Sequence, residues 1–194
     1  MKKLLLPCAV ALVLAACGRE SSPPASQAPA QTPPDAAPTV SPAQAGATVE
    51  LAPTQGHSAT GTLSLIPDGT GVRLSGSMQG LPPDGEFGFH IHEKGDCSAP
   101  DASSAGAHFN PENAPHGNPG GSAHHAGDML NLKSDAQGMG TVDALANGVT
   151  LATGQPNDVL GKAVVLHAKP DDYTTQPSGN SGDRIACGVI VGAG

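Results

Sequence analysis

Hydrophobic and polar residues alternate with a period of two along several short segments of the chain. This alternation is typical of β-strands that bury one face. The clearest segments are 48–51, 60–65, 71–76 and 140–145. Clusters of Pro, Asp and Gly at 67–69 and 82–85 separate them, and such clusters form turns rather than helix interiors. These segments and turns therefore predict a series of short, half-buried strands joined by tight turns.

Further strands are predicted over 86–93, 128–132, 162–167 and 185–191, with a short strand or connection at 149–151. Between them, 94–126 and 169–184 keep no period and are rich in Gly, Pro, Ser and Asn. A loop as long as 94–126 is unusual in a compact domain unless something else orders it. About eight strands and no convincing helix predict an all-β domain, an eight-stranded antiparallel Greek-key barrel or sandwich with two long functional loops.

The strand predicted over 86–93 contains two histidines on one face. Phe87, Phe89 and Ile91 point to one side of such a strand, whereas His90 and His92 point to the other. More histidines and one aspartate follow along the chain: His108, His116, His125, Asp128 and His167. Imidazoles with one carboxylate and no thiolate suit copper and zinc better than calcium or an iron–sulfur cluster. The pattern predicts a core on one face of this strand and a metal site on the other.

The first residues have the pattern of an export signal. Lys2 and Lys3 precede an apolar run over 4–14 that is too short to span a membrane. The small residues before Cys17 resemble the lipobox of bacterial lipoproteins, which implies a signal peptide over 1–16 and lipid on Cys17. Gly18 and Arg19 after the cysteine imply sorting to the outer membrane, facing the periplasm. The alternative is an ordinary secretory leader with an accidental cysteine.

Composition divides the rest of the chain in two. Residues 17–46 begin with the lipidated cysteine and continue as a Pro- and Ala-rich tract with almost no large apolar side chain. Such a tract cannot offset its ordering entropy and is predicted to be a disordered tether. Residues 47–194 are long enough for one domain with a single core.

The net charge excludes one class of partner. The chain has a net charge of −8, and removal of Lys2 and Lys3 with the leader makes it −10. An acidic protein without a basic stripe does not suit nucleic acid. We therefore expect no nucleic-acid partner, and contact with the membrane only through the lipid anchor.

Two cysteines remain in the predicted domain. Cys8 leaves with the leader and Cys17 takes the lipid, so Cys97 and Cys187 are left. Two cysteines in an exported protein usually pair in a disulfide. The alternative is two buried free thiols.

Seven motifs together resemble the copper–zinc superoxide dismutase family, in its bacterial, exported, lipoprotein-type form. They extend over nearly the whole domain and lie at 88–93, 95–97, 104–111, 116–117, 125–128, 164–167 and 182–189. The resemblance implies one copper ion and one zinc ion per subunit. The implied copper ligands are His90, His92, His108 and His167. The implied zinc ligands are His108, His116, His125 and Asp128.

The resemblance also implies roles for individual residues in the reaction. Two superoxide anions and two protons would become dioxygen and hydrogen peroxide while copper alternates between Cu(II) and Cu(I), which protects the cell envelope. His108 would bridge both ions and deliver a proton, and Arg184 would guide the anion to copper. Asp171 would hydrogen-bond His90 and His116, although Asp172 is adjacent.

Some features leave alternatives open. The 168–183 segment is shorter than in the eukaryotic relatives, where its charged residues guide substrate, and is mostly Asp, Thr, Ser, Gly and Asn, so no particular lysine is assigned that role. His125 fits the zinc spacing better than His124, and His57 is expected to be solvated. The resemblance allows a homodimer, while the sequence leaves the oligomeric state open. A noncatalytic copper- or zinc-binding lipoprotein is the second hypothesis. A zinc hydrolase is disfavoured because the implied zinc set has no open position.

Overall fold

The structure is a computed structural model that describes residues 46–193. The predicted signal peptide over 1–16, the lipidation at Cys17 and all but the last residue of the tether lie outside the described residues. Within 46–193 there is no α-helix, so this part contains no helix able to cross a membrane. It contains one 3₁₀ turn, η1 (Ser103–Ala105), and ten strands: β1 (Ala47–Pro53), β2 (Thr60–Asp68), β3 (Gly71–Gln79), β4 (Glu86–Phe87), β5 (Phe89–His92), β6 (Leu132–Lys133), β7 (Gly140–Asn147), β8 (Ala163–His167), β9 (Arg184–Val189) and β10 (Val191–Gly192).

The strands form one curled antiparallel sheet and a short second pair. The main sheet has the order β5-β8-β9-β1-β2-β3-β7, with β10 also beside β1, and β4 pairs with β6. A bridge between Ser134 and Gly140 continues β6 toward β7, while β4 leads directly into β5. The ends of the sheet are therefore joined through short pairings. Neighbours such as β1 and β9 are distant in sequence, as in Greek-key connections. The predicted all-β fold class is confirmed.

The eight predicted strands correspond to these ten segments with three local differences. The predicted strand 86–93 is broken at Gly88 into β4 and β5, and β9 and β10 together match the last predicted strand. The predicted strand 128–132 is reduced to β6 because the Asp128 carboxylate accepts the backbone N–H groups of Gly117 and His125. Those bonds favour a turn, and Asp128 keeps only an isolated bridge to His90.

The core lies on the inner face of the curled sheet. Alternate residues of β1 and β2, including Val49, Leu63 and Leu65, are fully buried in it, as the period of two predicts. On β5, Phe89 and Ile91 belong to the same core, whereas His90 and His92 are buried beneath the loops on the opposite face. This strand therefore separates the hydrophobic core from the polar site.

The long loop after β5 is held down by small side chains and a disulfide. Ala102 and Ala105 of this loop pack on the outer face of β8 and β9. Cys97 and Cys187 form the predicted disulfide, with Cα atoms 5.8 Å apart. The loop contains one 3₁₀ turn and is also joined to β5 by backbone hydrogen bonds, such as that from Phe109 N to Ile91 O at 2.8 Å.

Removal of this disulfide should destabilise the metal-free domain substantially. The cysteines are 90 residues apart. In the chain-entropy model, a disulfide over this separation lowers the entropy of the unfolded chain and so raises its free energy by roughly 4 kcal/mol. We expect the double variant Cys97→Ala, Cys187→Ala to lower the free energy of unfolding in urea by about that amount. The unchanged protein, unfolded without reductant, is the control. A loss below about 1 kcal/mol would contradict the chain-entropy account.

Candidate metal centre

Six histidines and one aspartate that are distant in sequence come together beside β5. All of them are buried: His90, His92, His108, His116, His125, Asp128 and His167. Their possible ligand atoms form two groups of four, and within each group these atoms lie within 4.8 Å of one another. One group has four histidines and the other has three histidines with Asp128, and His108 belongs to both. The structure therefore gathers the residues that the sequence analysis assigned to two adjoining metal sites.

In the four-histidine group, hydrogen bonds orient the rings. His92 donates through Nδ1 to the carbonyl oxygen of Gly106 at 2.9 Å. His167 directs Nδ1 toward the Gly182 carbonyl oxygen at 3.2 Å. The remaining Nε2 atoms of these two rings lie 3.4 Å apart. Each ring is thus fixed by one nitrogen and presents the other to the centre of the group.

Two further ring nitrogens reach this centre and have no hydrogen-bond partner within residues 46–193. They are His90 Nδ1 and His108 Nε2, both buried. A buried polar atom without a partner costs about 1–3 kcal/mol, so such atoms rarely converge without a function. Four imidazole nitrogens directed at one point fit a metal ion.

The second group surrounds the Asp128 carboxylate. Its oxygens lie 2.8 Å from His108 Nδ1, 3.0 Å from His116 Nδ1 and 3.3 Å from His125 Nδ1. The backbone N–H groups of Gly117 and His125 donate to Oδ2 and hold the carboxylate in place. Three nitrogens and one carboxylate oxygen are a ligand set that zinc commonly adopts in tetrahedral sites.

Burial keeps several of these imidazoles in their neutral form. It lowers the pKa of His90 to about 4 and that of His167 to about 3. The pKa of His92 is lowered further, again chiefly by burial. A neutral imidazole is the form that binds metal. These rings are therefore ready to bind at neutral pH.

His116 differs because it lies between two carboxylates. Burial acts to lower its pKa, but hydrogen bonds with Asp128 and Asp171 outweigh this and raise it to about 9. For the Asp128 carboxyl, burial acts in the opposite direction and would raise the pKa. Hydrogen bonds from His108 and His116 nevertheless hold the pKa of Asp128 well below its usual range. Metal binding at this group must therefore displace a proton from His116.

Asp171 links the two groups through ring nitrogens that do not point toward the centre of either group. Its Oδ2 lies 2.7 Å from His90 Nε2 and its Oδ1 lies 2.9 Å from His116 Nε2. The neighbouring Asp172 is exposed and instead accepts hydrogen bonds from Thr174 and Thr175. The geometry thus assigns the bridging position to Asp171 and not to Asp172.

Asp171→Asn should weaken retention of both metals. An amide cannot accept hydrogen bonds from both rings, so at least one ring loses its orientation. Loss of such a partner usually costs 10–100-fold in metal affinity, and we expect a loss of about this size in competition with a chelator. Asp172→Asn is the matched control and should bind like the unchanged protein. Equal affinities for the two variants would contradict the role of Asp171.

Asn131 and Gly106 support the site and are not among the site residues predicted from the sequence. Asn131 binds the backbone of Asp171 at two points, since its Oδ1 accepts from Asp171 N and its Nδ2 donates to Asp171 O, both at 2.9 Å. Gly106 lies in a recognised motif, but its carbonyl oxygen had no assigned partner. The only sequence signal for Asn131 is its position three residues after Asp128.

A cleft of about 670 Å³ gives access to the four-histidine group. Four histidines line it: His92, His108 and His167 of the four-histidine group, and His125 of the second group. Arg184 lines it as well, and donates from Nη1 to Ala102 O at 2.7 Å and from Nη2 to Gly106 O at 2.6 Å. Gly106 O therefore accepts from both Arg184 and His92. A fixed guanidinium lies at the mouth of the site, where it can attract a small anion.

Of the two remaining histidines, His124 is expected from the sequence to be exposed but is half-buried in the structure. His124 directs Nδ1 at the carbonyl oxygen of His125 at 2.7 Å and belongs to neither donor group. His57 is exposed. Among residues 46–193, the two groups thus use the six predicted histidines and leave these two out.

An all-β barrel in which two buried metal-binding groups share one histidine defines a class of dinuclear metalloprotein. The chain matches the copper/zinc superoxide dismutase family over residues 59–190. It belongs to that family.

Relatives with similar sequences support this assignment. Superoxide dismutase (Cu-Zn) 2 of Aquifex aeolicus (strain VF5) is 46% identical over 149 residues, which cover 74% of this chain and 85% of the relative. Superoxide dismutase-like protein YojM of Bacillus subtilis (strain 168) is 38% identical over 194 residues, covering 97% of this chain and 95% of the relative.

Solved structures with the same fold include members with different names. The clock protein EA4 superposes with a TM-score of 0.68 at 37% identity, covering 76% of this chain and 94% of that chain. A superoxide dismutase-like protein from Bacillus subtilis gives 0.66 at 42% identity, covering 73% and 95%.

Proposed function

We propose that this protein is a superoxide dismutase that holds one copper ion and one zinc ion. The observation that supports this most strongly is the position of His108. Its Nδ1 lies in the Asp128 group, 2.8 Å from that carboxylate, and its Nε2 lies in the four-histidine group. One imidazole shared by two groups fits two ions that share a bridging ligand, because two dications together can remove the second ring proton.

The two groups differ in the way that copper and zinc require. Copper would be held by His90 Nδ1, His92 Nε2, His108 Nε2 and His167 Nε2, and three of these rings line the cleft. Zinc would be held by Asp128 and the Nδ1 atoms of His108, His116 and His125. The zinc set is complete without a substrate, so it is structural, whereas the copper set opens toward a small anion.

Bound copper would supply one-electron chemistry, so that two superoxide anions and two protons become dioxygen and hydrogen peroxide. The protein's own residues serve three purposes in this reaction. The Arg184 guanidinium attracts and orients the anion in the cleft. His108 Nε2 can hold a proton whenever this nitrogen is not bonded to metal. The hydrophobic core, which includes Phe89 and Ile91, closes the site on the side of β5 away from the cleft.

Family membership alone does not assign the activity, since one relative is named a dismutase and another dismutase-like. A noncatalytic protein that buffers copper or zinc is the alternative. The complete four-histidine group and Arg184 favour the enzyme, because metal buffering does not need an anion guide. Superoxide decay should be compared for protein loaded with both metals and with zinc alone. Faster decay with both metals supports the enzyme, and equal decay at full copper occupancy supports buffering.

The metal assignment has its own test. We expect purified protein to bind one copper and one zinc per chain. Because His108 is placed to bind both ions, the Cu(II) resonance spectrum should change when zinc is removed. A spectrum that is the same with and without zinc would contradict a shared ligand.

We also propose that the protein acts at the bacterial cell envelope, anchored by lipid on Cys17 and facing the periplasm from the outer membrane. The support is the leader over 1–16 and its small residues before Cys17. There the enzyme would remove superoxide outside the cytoplasm. Mass spectrometry of the mature N-terminus should find lipid on Cys17, and Cys17→Ser should release the protein from the membrane fraction. An unlipidated N-terminus at another position would contradict the anchor.

A further inference from the structure

A side-chain amide from the second long loop binds the backbone of His116 at two points. Gln176 Oε1 accepts a hydrogen bond from His116 N at 2.9 Å, and Gln176 Nε2 donates to His116 O at 2.9 Å. The two residues are 60 positions apart in sequence. This pair fixes both backbone groups of His116, whereas Asp171 fixes its ring. His116 is thus held by its ring and its main chain from one segment of the second loop.

The segment that supplies both contacts is a turn with its own internal hydrogen bonds. Asp172 N donates to Gly179 O and Gly179 N donates to Thr175 O. The Asp172 carboxylate accepts from the backbone N–H groups of Thr174 and Thr175. These bonds order the turn without help from the zinc group. The turn can therefore present Gln176 in a fixed position.

Gly179 lets this turn approach the metal group closely. Its φ of 63° lies in the left-handed region that favours glycine. A Cβ at this position would overlap Asp171 Oδ1 and lie 2.8 Å from His116 Nε2. The turn therefore lies directly over the hydrogen bond between Asp171 and His116. Asp171 at the start of the turn, Gln176 in its middle and Gly179 near its end therefore all lie close to His116.

From this geometry we infer that Gln176 is a positioning residue for His116, and that it slows the loss of zinc from the second group. This inference rests on the zinc assignment in the proposed function. The two hydrogen bonds of Gln176 keep His116 Nδ1 directed at the group when thermal motion would otherwise move its loop. Copper should be less affected, since among the described residues Gln176 forms no hydrogen bond with a copper donor.

The test is the rate of zinc release to a chelator from protein loaded with copper and zinc. We expect Gln176→Ala to release zinc about 10–100-fold faster than the unchanged protein, as for other residues that orient ligands. Gln176→Glu keeps the acceptor for His116 N but loses the donor to His116 O, so its rate should lie between the two. The matched control is Gln79→Ala, which removes a side-chain amide hydrogen bond remote from the metal groups, that of Gln79 Nε2 to Thr60 Oγ1 at 3.2 Å.

A spectroscopic measurement distinguishes a change in the position of His116 from a general loss of rigidity in the protein. With Co(II) in place of zinc, the visible absorption of the Gln176→Ala protein should change in shape, while that of Gln79→Ala should match the unchanged protein. Zinc release and a Co(II) spectrum that both equal those of Gln79→Ala would overturn the inference. Neither measurement uses superoxide, so a positive result stands even if the protein does not catalyse dismutation. Failure of the dismutase assay would likewise leave it intact.

Discussion

His167→Ala should reduce superoxide decay to the rate of buffer while the second metal group continues to bind zinc. His167 lies at the end of β8, and its Nε2 is 3.4 Å from His92 Nε2 in the four-histidine group. It is absent from the group that contains Asp128. Loss of a direct ligand should cost more than loss of a supporting residue, so we expect activity to fall by at least about 100-fold.

The matched control for this variant is His57→Ala. His57 is exposed and belongs to neither metal group, so its loss should leave both metals and the activity unchanged. Metal content and the superoxide decay rate are measured on the same samples. Full activity in His167→Ala would show that the four-histidine group is not the reaction centre. Loss of zinc together with copper would show that zinc binding depends on His167, although His167 is not in the group that contains Asp128.

Arg184→Ala should lower the rate constant for superoxide decay by about tenfold or more without removing either metal. The guanidinium lines the cleft beside His92, His108 and His167. Burial lowers its pKa, yet an arginine remains protonated at neutral pH. In a chain of net charge −8, this local positive charge must attract the anion against a repulsive background. Its effect should therefore be largest at low ionic strength.

The Arg184→Lys variant separates the effect of the positive charge on the rate from the effect of the planar guanidinium group. Lysine keeps the charge but cannot donate to Ala102 O and Gly106 O in the same planar arrangement. We expect it to recover part of the rate and the dependence on salt that Arg184→Ala loses. Because Arg184 also holds two loop carbonyls, copper content and thermal unfolding are measured for both variants. A rate for Arg184→Ala equal to that of the unchanged protein at low salt would contradict the guiding role.

The strand faces could be predicted from sequence because a period of two is a local property. On β5 it assigned Phe89 and Ile91 to the core and His90 and His92 to the opposite face, and the structure agrees. The same pattern failed at Asp128, where backbone N–H groups from Gly117 and His125 favour a turn over a continued strand. Hydrogen bonds from loop backbone to the Asp128 side chain leave no periodic signal in the sequence.

The residues that hold the ligands were predicted less completely than the ligands themselves. His90, His108 and their partners stand out because metal-binding side chains are rare and their motifs are specific. Asn131 and Gln176 are ordinary amides in loops, and their function depends on which backbone they meet after folding. Asp171 and Asp172 have the same chemistry in sequence, and only the direction of each carboxylate separates them.

We propose that superoxide is consumed at the four-histidine group of this chain when that group holds copper. The most direct measurement is the superoxide decay rate at fixed zinc while copper is added to metal-free protein. We predict a rate that rises in proportion to copper and stops rising at one copper per chain. A rate that stays at the buffer value while copper fills the site would contradict the claim.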